Sequence, residues 1–162
     1  RVMSLRARAE APLCFDGQEE ALSSAVVSIH DGLVAKRGFA PELSNERQEE
    51  ITSRVLSVVV SAFCTVYGAR LEQRFSDVFE QVTVFAVHLA KDHIFPDGNK
   101  RTTLVSALSI LQLAGFTLDF EDANEPVCNG LYAWVLAAAA SGKSNDELAA
   151  VLRNHKQEIA YA

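Results

Sequence analysis

Cysteine is scarce and scattered. Cys14, Cys64 and Cys128 form an odd set with no CxxC spacing, which argues against a disulfide framework and fits free thiols in a reducing cytosol. With 4 Pro and 8 Gly in 162 residues, the chain is neither collagen-like nor of low complexity. No apolar run approaches the length that crosses a bilayer. The longest, Leu131 to Ala140, reads as a buried helix. Positive charge is in deficit: the formal net charge is -6, so bulk attraction to nucleic acid or to an anionic membrane is not expected. The first residues alternate charge with Ala and have no signal-peptide core. GxxxxGK[ST], GxSxG and HExxH are all missing, and His88 lies five residues before His93, off the spacing of a helical zinc pair. A P-loop, an esterase elbow and a zincin site are therefore set aside.

What remains is helical pattern. Apolar residues make up 49% of the chain, enough for one domain with a proper core. Residues 1–17 read as a mobile or loosely docked N-terminal arm, and 18–162 as a single domain. Leu22, Val26, Ile29 and Leu33 recur at helical spacing within Ala21 to Lys36. Gly38 and Pro41 break that helix. Ser44 or Asn45 can cap the next, whose apolar face is Ile51, Val55, Val58, Val59, Ala62, Phe63 and Val66, with a stop at Gly68. A strand over Val55 to Val60 is the minor alternative. Ser76 is a candidate cap for a helix with a wide stripe of Val78, Phe79, Val82, Phe85, Ala86 and Leu89, the mark of a central helix. A further helix shows Leu104, Ala107, Leu108, Leu111 and Ala114, ending at Gly115. Phe116 to Phe120 is short and extended, and residues 121–126 form a polar turn. Ser144 to Glu147 is a capping box that opens a last helix with Leu148, Val151 and Leu152 inward. The count predicts a compact all-α bundle of six to seven helices.

Between the two central helices lies His93-Ile94-Phe95-Pro96-Asp97-Gly98-Asn99-Lys100-Arg101-Thr102. Pro and Gly make this a tight loop, and the second helix starts near Asn99. Its N-terminus directs free N–H groups and partial positive charge at the loop. Lys100 and Arg101 add two cations where the dipole alone would favour acids. That placement makes sense if an anion such as phosphate binds there. Asp97 can hold Mg²⁺ between phosphates, and His93 can take a proton from a hydroxyl. Taken singly, Asp97 is a turn residue, His93 a helix-end histidine and the cations a solvated face. Their conjunction is what points to chemistry.

The stretch resembles the signature of the Fic/Doc (Fido) family, His-x-Phe-x-[Asp/Glu]-Gly-Asn-[Gly/Lys]-Arg, at His93, Phe95, Asp97, Gly98, Asn99, Lys100 and Arg101. Lys100 and the following Arg101-Thr102 resemble the Doc branch, whereas Fic-type AMP transferases usually carry a second Gly at that position. Ile29-His30-Asp31 also resembles a tripeptide found early in Doc-like chains, although a helix histidine that packs and bonds locally would look the same. Gly98 and Val105 depart from the usual Doc pattern, where Ala and Asn are common.

The resemblance implies a Fido-type helical bundle with the motif loop between two central helices. It implies a cytoplasmic, toxin-type protein kinase that transfers the γ-phosphate of ATP to a Ser/Thr hydroxyl. In that reading His93 is the general base, Asp97 holds Mg²⁺, and Gly98, Asn99, Lys100 and Arg101 bind phosphate. A translation factor such as elongation factor Tu is the implied target. The family's inhibitory motif is missing from the chain, so a separate antitoxin peptide is the implied restraint. AMP transfer to a hydroxyl, and a non-catalytic binding module, are the alternatives. Phe39, in the segment that corresponds to the family's target flap, is a candidate contact residue.

Overall fold

The computed structural model describes residues 9–38, 43–120 and 129–160. Phe39, Pro41, the polar turn of 121–126, Cys128 and residues 1–8 lie outside them. Among the described residues are seven helices: α1 (Glu19–Ala35), α2 (Asn45–Phe63), α3 (Leu71–Arg74), α4 (Val78–Lys91), α5 (Asn99–Leu113), α6 (Gly130–Ala139) and α7 (Asn145–His155). Two three-residue strands, β1 (Phe116–Leu118) and β2 (Lys156–Glu158), pair antiparallel with Phe116 opposite Glu158. The bundle is mostly helical, as the periodicity implies. No described helix is long and apolar enough to cross a membrane.

α4 is the axle. Its stripe of Val78, Phe79, Val82, Phe85, Ala86 and Leu89 is buried throughout, and it packs against α2, α5, α6 and α7. Burying each large side chain of this stripe contributes about 1.5–3 kcal/mol. The cap lies one residue later than Ser76. Asp77 is the cap: its Oδ1 accepts from Glu80 N at 2.9 Å, and its carboxylate also takes Arg153 Nε of α7 at 2.5 Å. One carboxylate thus serves a helix end and an interhelical ion pair. Ser44 caps α2 through Arg47 N at 3.2 Å, and the Ser144–Glu147 capping box is formed.

Three sequence expectations shift. First, α2 stops at Phe63 rather than Gly68. Cys64 turns extended, and Tyr67 and Gly68, both at positive φ (50° and 77°), make a tight turn bridged by Val66 and Ala69. Two successive positive φ values are what a type I′ turn requires. The strand alternative over Val55 to Val60 is not adopted.

Second, the buried face of α1 is Ser23, Val26, His30 and Val34, one residue on from Leu22, Ile29 and Leu33, which are half-buried. α5 likewise buries Thr102, Thr103, Ser106, Ala107, Ile110 and Leu111, leaving Leu104 and Leu108 half-buried. Positions 100, 101, 104, 105 and 108 share one side of an α-helix. Keeping Lys100 and Arg101 outward therefore carries Leu104 and Leu108 to the margin.

Third, the described part of the N-terminal arm is docked. Gln81, fully buried in α4, exchanges two 2.7 Å hydrogen bonds with the backbone of Leu13. Val78 N donates to Glu10 O and Phe15 N to Phe63 O, both at 2.8 Å. The Asp16 carboxylate accepts from Thr65 N and Oγ1 at 2.7 and 2.6 Å. Glu10 also pairs with Lys156 of β2.

Candidate active site

The motif junction is built by stopping α4 abruptly and starting α5 at once. α4 ends at Lys91, and His93 takes φ 47°, left-handed for a non-glycine residue. That conformation costs about 1–2 kcal/mol and persists only where the surroundings hold it. Ile94 and Phe95 then plunge into the core, 0% and 3% exposed. They anchor a loop whose other members, His93, Pro96 and Asp97, stay exposed. Gly98 returns the chain at φ 78° and is the N-cap of α5. Glycine supplies that φ without strain.

Several bonds hold this shape. Within the loop, Asn99 Oδ1 accepts from Phe95 N at 3.0 Å while Asn99 Nδ2 donates to Phe95 O at 2.8 Å. Gly98 N donates to Asp97 Oδ1 at 2.7 Å. From α1, His30 Nε2 lies 2.9 Å from Asp97 O, and the imidazole stacks on the Phe95 ring at 3.9 Å. From α2, Arg54 Nη2 donates to Asp92 O at 2.6 Å, immediately before His93. His88 Nε2 is 3.1 Å from the Asp92 carboxylate.

A cleft of about 370 Å³ opens over the junction. His93, Asp97, Asn99, Lys100 and Arg101 line it, joined by Arg37 and Tyr132. A neighbouring hollow of about 310 Å³, floored by Leu33 and Val34, shares Arg37, Asp97, Gly98 and Arg101 with it. The sequence-predicted site residues are therefore together. His93 faces the cleft and is exposed, not turned into the core. Three cations, Arg37, Lys100 and Arg101, stand against the single carboxylate of Asp97. No acidic residue lies in the first turn of α5, and no side chain caps its N-terminus. Its partial positive charge is left facing the cleft. The wall suits a polyanion.

Asn99 differs from the expectation in one respect. Its amide oxygen and one N–H are committed to Phe95, so its side chain is first a brace for the loop. His30 was expected to bond locally. It does contact Asp31, Nδ1 to Oδ1 at 3.1 Å, but its other nitrogen reaches 67 residues along the chain to Asp97. Arg37 and Tyr132 were not legible as site residues. Arg37 reads as part of the segment that breaks α1, and Tyr132 as one apolar residue of a buried run. Neither has a spacing signal, because the fold alone brings them to the cleft. Val105, on the same side of α5 as Arg101, is half-buried and not part of the cleft lining.

A metal would find limited protein support here. Among the described residues no three His, Cys, Asp or Glu side chains converge. Asp97 alone presents an exposed carboxylate to the cleft. That fits Mg²⁺, which usually keeps waters and binds through one or two carboxylates plus substrate phosphates. It does not fit a self-sufficient cage.

The family model described as Fic/DOC family matches residues 21–111, the span from α1 through the motif into α5. Over 91 residues the chain is 33% identical to the protein kinase doc of Escherichia phage P1. That match covers 56% of this chain and 64% of the phage protein, just under two thirds of its length. Motif, helical bundle and family match coincide on the same segment, and the chain belongs to the Fic/DOC family.

Proposed function

We propose that the chain is a Doc-like protein kinase that moves the γ-phosphate of ATP to a Ser or Thr hydroxyl of a protein. One observation carries the reading. An exposed imidazole, a carboxylate, the uncapped start of α5 and three cations line a single cleft. The phage relative is named a protein kinase, which supports transfer of the γ-phosphate.

The roles follow from chemistry. The backbone N–H groups at the start of α5, with Lys100 and Arg101, hold the phosphates, and Arg37 joins them from the turn that follows α1. Gly98 lets the backbone come close. Asp97 would hold Mg²⁺, which when bound offsets the charge between phosphates. His93 accepts the proton of the incoming hydroxyl. The hydroxyl oxygen forms a bond to the γ-phosphorus, the bond from that phosphorus to the β–γ bridging oxygen breaks, and ADP leaves with the electron pair. Loose phosphoryl-transfer transition states need positioning and charge stabilisation more than covalent help. Lys100, exposed and on the cleft, favours γ-transfer over AMP transfer. Its bulk and charge occupy the position where a second glycine would let the backbone cradle the distal phosphates in the opposite nucleotide orientation.

A translation factor such as elongation factor Tu is the proposed target, a separate antitoxin peptide the proposed restraint, and the cytoplasm the proposed compartment. The test is label transfer from ATP to lysate proteins. Label from the γ position, lost in His93→Ala and Asp97→Ala, is the expected result. Label from the α position would mean AMP transfer. Failure of both labels with elongation factor Tu and with whole lysate would favour a binding module. Co-purification with a small partner that abolishes transfer would support the antitoxin; undiminished transfer in its presence would refute it.

A further inference from the structure

The motif loop has internal bonds that set its shape. What sets its place is a residue outside the motif. His30 sits in the middle of α1, 8% exposed. A carbonyl can only accept, so Nε2 donates to Asp97 O at 2.9 Å. On the other side Nδ1 lies 3.1 Å from Asp31 Oδ1. The ring lies flat on Phe95, 3.9 Å between centroids and 10° between planes. Gly98 lies beside the same ring: a Cβ built there would meet His30 Cδ2 and Val34 Cγ2 at 3.7 Å. One imidazole therefore touches Phe95 and Asp97, two of the motif positions, and lies beside a third. Among the described residues, it supplies the hydrogen bond that ties residues 93–98 to a helix other than the two that flank them.

The bonds inside the loop would travel with it if it tilted. Asn99 with Phe95, and Asp97 with Gly98, fix internal distances only. The bond from His30 ties the turn to α1, and Arg37, two residues past the end of α1, lines the same cleft.

We propose that His30 is a positioning residue for the transfer reaction. It holds the Asp97–Gly98 turn in register with α1, so that the Asp97 carboxylate and the N–H groups of α5 meet the phosphates in one arrangement. This rests on the kinase reading for its activity readout, but not for its structural one.

The test uses the full chain and compares His30→Phe with His30→Gln. Phe keeps the flat stack on Phe95 and loses the donor. Gln loses the stack and restores an N–H at the reach of Nε2. Thermal stability, kcat and KM for γ-label transfer, and the backbone amide resonances of Gly98 and Asn99 are measured on each. His30→Phe is expected to stay folded and to lose about tenfold to a hundredfold in kcat, as misplacement of a reacting group does, with KM for the target protein little changed. Its Gly98 amide resonance should move. His30→Gln should recover most of kcat and return that resonance towards the wild-type position. A purely structural histidine predicts the reverse order, with Phe the milder change. Wild-type kcat in His30→Phe, or a Gln variant no better than Phe, would overturn the proposal.

If His30→Phe does not fold, Asp31→Asn carries the test, because Asp31 is exposed and only the orientation of the imidazole depends on it. It should shift the Gly98 resonance at unchanged stability, and an unmoved resonance would overturn the proposal. If the wild-type chain transfers no label from ATP, the kinase reading falls, and the amide resonances still decide whether His30 sets the loop.

Discussion

Replacing Asn99 by Ala separates a brace from a ligand. In the structure the Asn99 amide satisfies both the N–H and the C=O of Phe95, at 3.0 and 2.8 Å. Phe95 is 3% exposed, so water reaches those backbone groups poorly. Each bond contributes about 1 kcal/mol net, and orphaned buried groups raise the cost. The loss is therefore about 2–3 kcal/mol, which lowers Tm by roughly 4–12 °C for a chain of this size. Thermal unfolding followed by circular dichroism reads it, beside γ-label transfer by the same preparation. Activity should fall together with Tm, because the loop that loosens carries Asp97 and the start of α5. Asn99→Asp should be no better: its carboxylate can accept from Phe95 N but faces Phe95 O with another acceptor. A variant with wild-type Tm and a raised KM for ATP would refute the reasoning, and would make the Asn99 amide a phosphate ligand instead.

Other substitutions report on neighbouring parts. Gly98→Ala should lower stability by about 1–2 kcal/mol through its left-handed φ alone, since the added Cβ meets only ordinary contacts at 3.7 Å; a much larger drop in a denaturant titration would mean the turn is tighter than observed. Asp77→Ala removes both the α4 cap and the partner of Arg153 and should cost about 2–4 kcal/mol in the same titration, the sum of a cap and a partly buried charged hydrogen bond; a change within about 0.5 kcal/mol, the scatter of surface substitutions, would contradict that double role. The Asp16 carboxyl lies below its ordinary value of 3.8 because Thr65 donates to it from side chain and backbone. A depressed acid stabilises the fold above the unfolded value and loses that contribution as pH falls through the folded one. The stability gap between wild type and Asp16→Asn should therefore be present at neutral pH and shrink below about pH 4; a gap that grows on acidification would contradict it. Burial pushes the Cys64 thiol up to about 11, whereas Cys14 is exposed. Alkylation at about pH 8, roughly where an ordinary thiol begins to react, should modify Cys14 before Cys64, as peptide mapping would show.

How much of this was legible in the sequence depended on which contacts set each feature. The α4 stripe was readable because all six positions face a continuous core. The Ser44 and Ser144 caps were readable because capping is local. The phases of α1 and α5 were not. Apolar spacing favoured Ile29, Leu33, Leu104 and Leu108, but the loop between α4 and α5 turns His30 inward and Lys100 outward, and polar Thr102, Thr103 and Ser106 follow into the core. β2 has no period of its own: Lys156, Gln157 and Glu158 form a strand only because β1 lies beside them. The docking of residues 9–17 depends on Gln81, a polar residue in mid-helix whose partner is 68 positions away.

In the candidate site, the motif itself was legible and its framework was not. His93, Asp97, Lys100 and Arg101 stand in sequence order and meet at one cleft. Arg37, Tyr132 and Arg54 come from other parts of the chain and carry no local mark. His30 stands out in the sequence only through its tripeptide, while its hold on the loop is a tertiary fact.

The central claim is that the junction of α4 and α5 presents a hydroxyl to His93 beside the γ-phosphate of a bound nucleotide. Intact-mass analysis of elongation factor Tu incubated with the chain and Mg²⁺–ATP tests it most directly. The account predicts a gain of one phosphoryl group on a Ser or Thr, abolished in His93→Ala. A gain of one AMP, or a phosphoryl gain that survives His93→Ala, would contradict it.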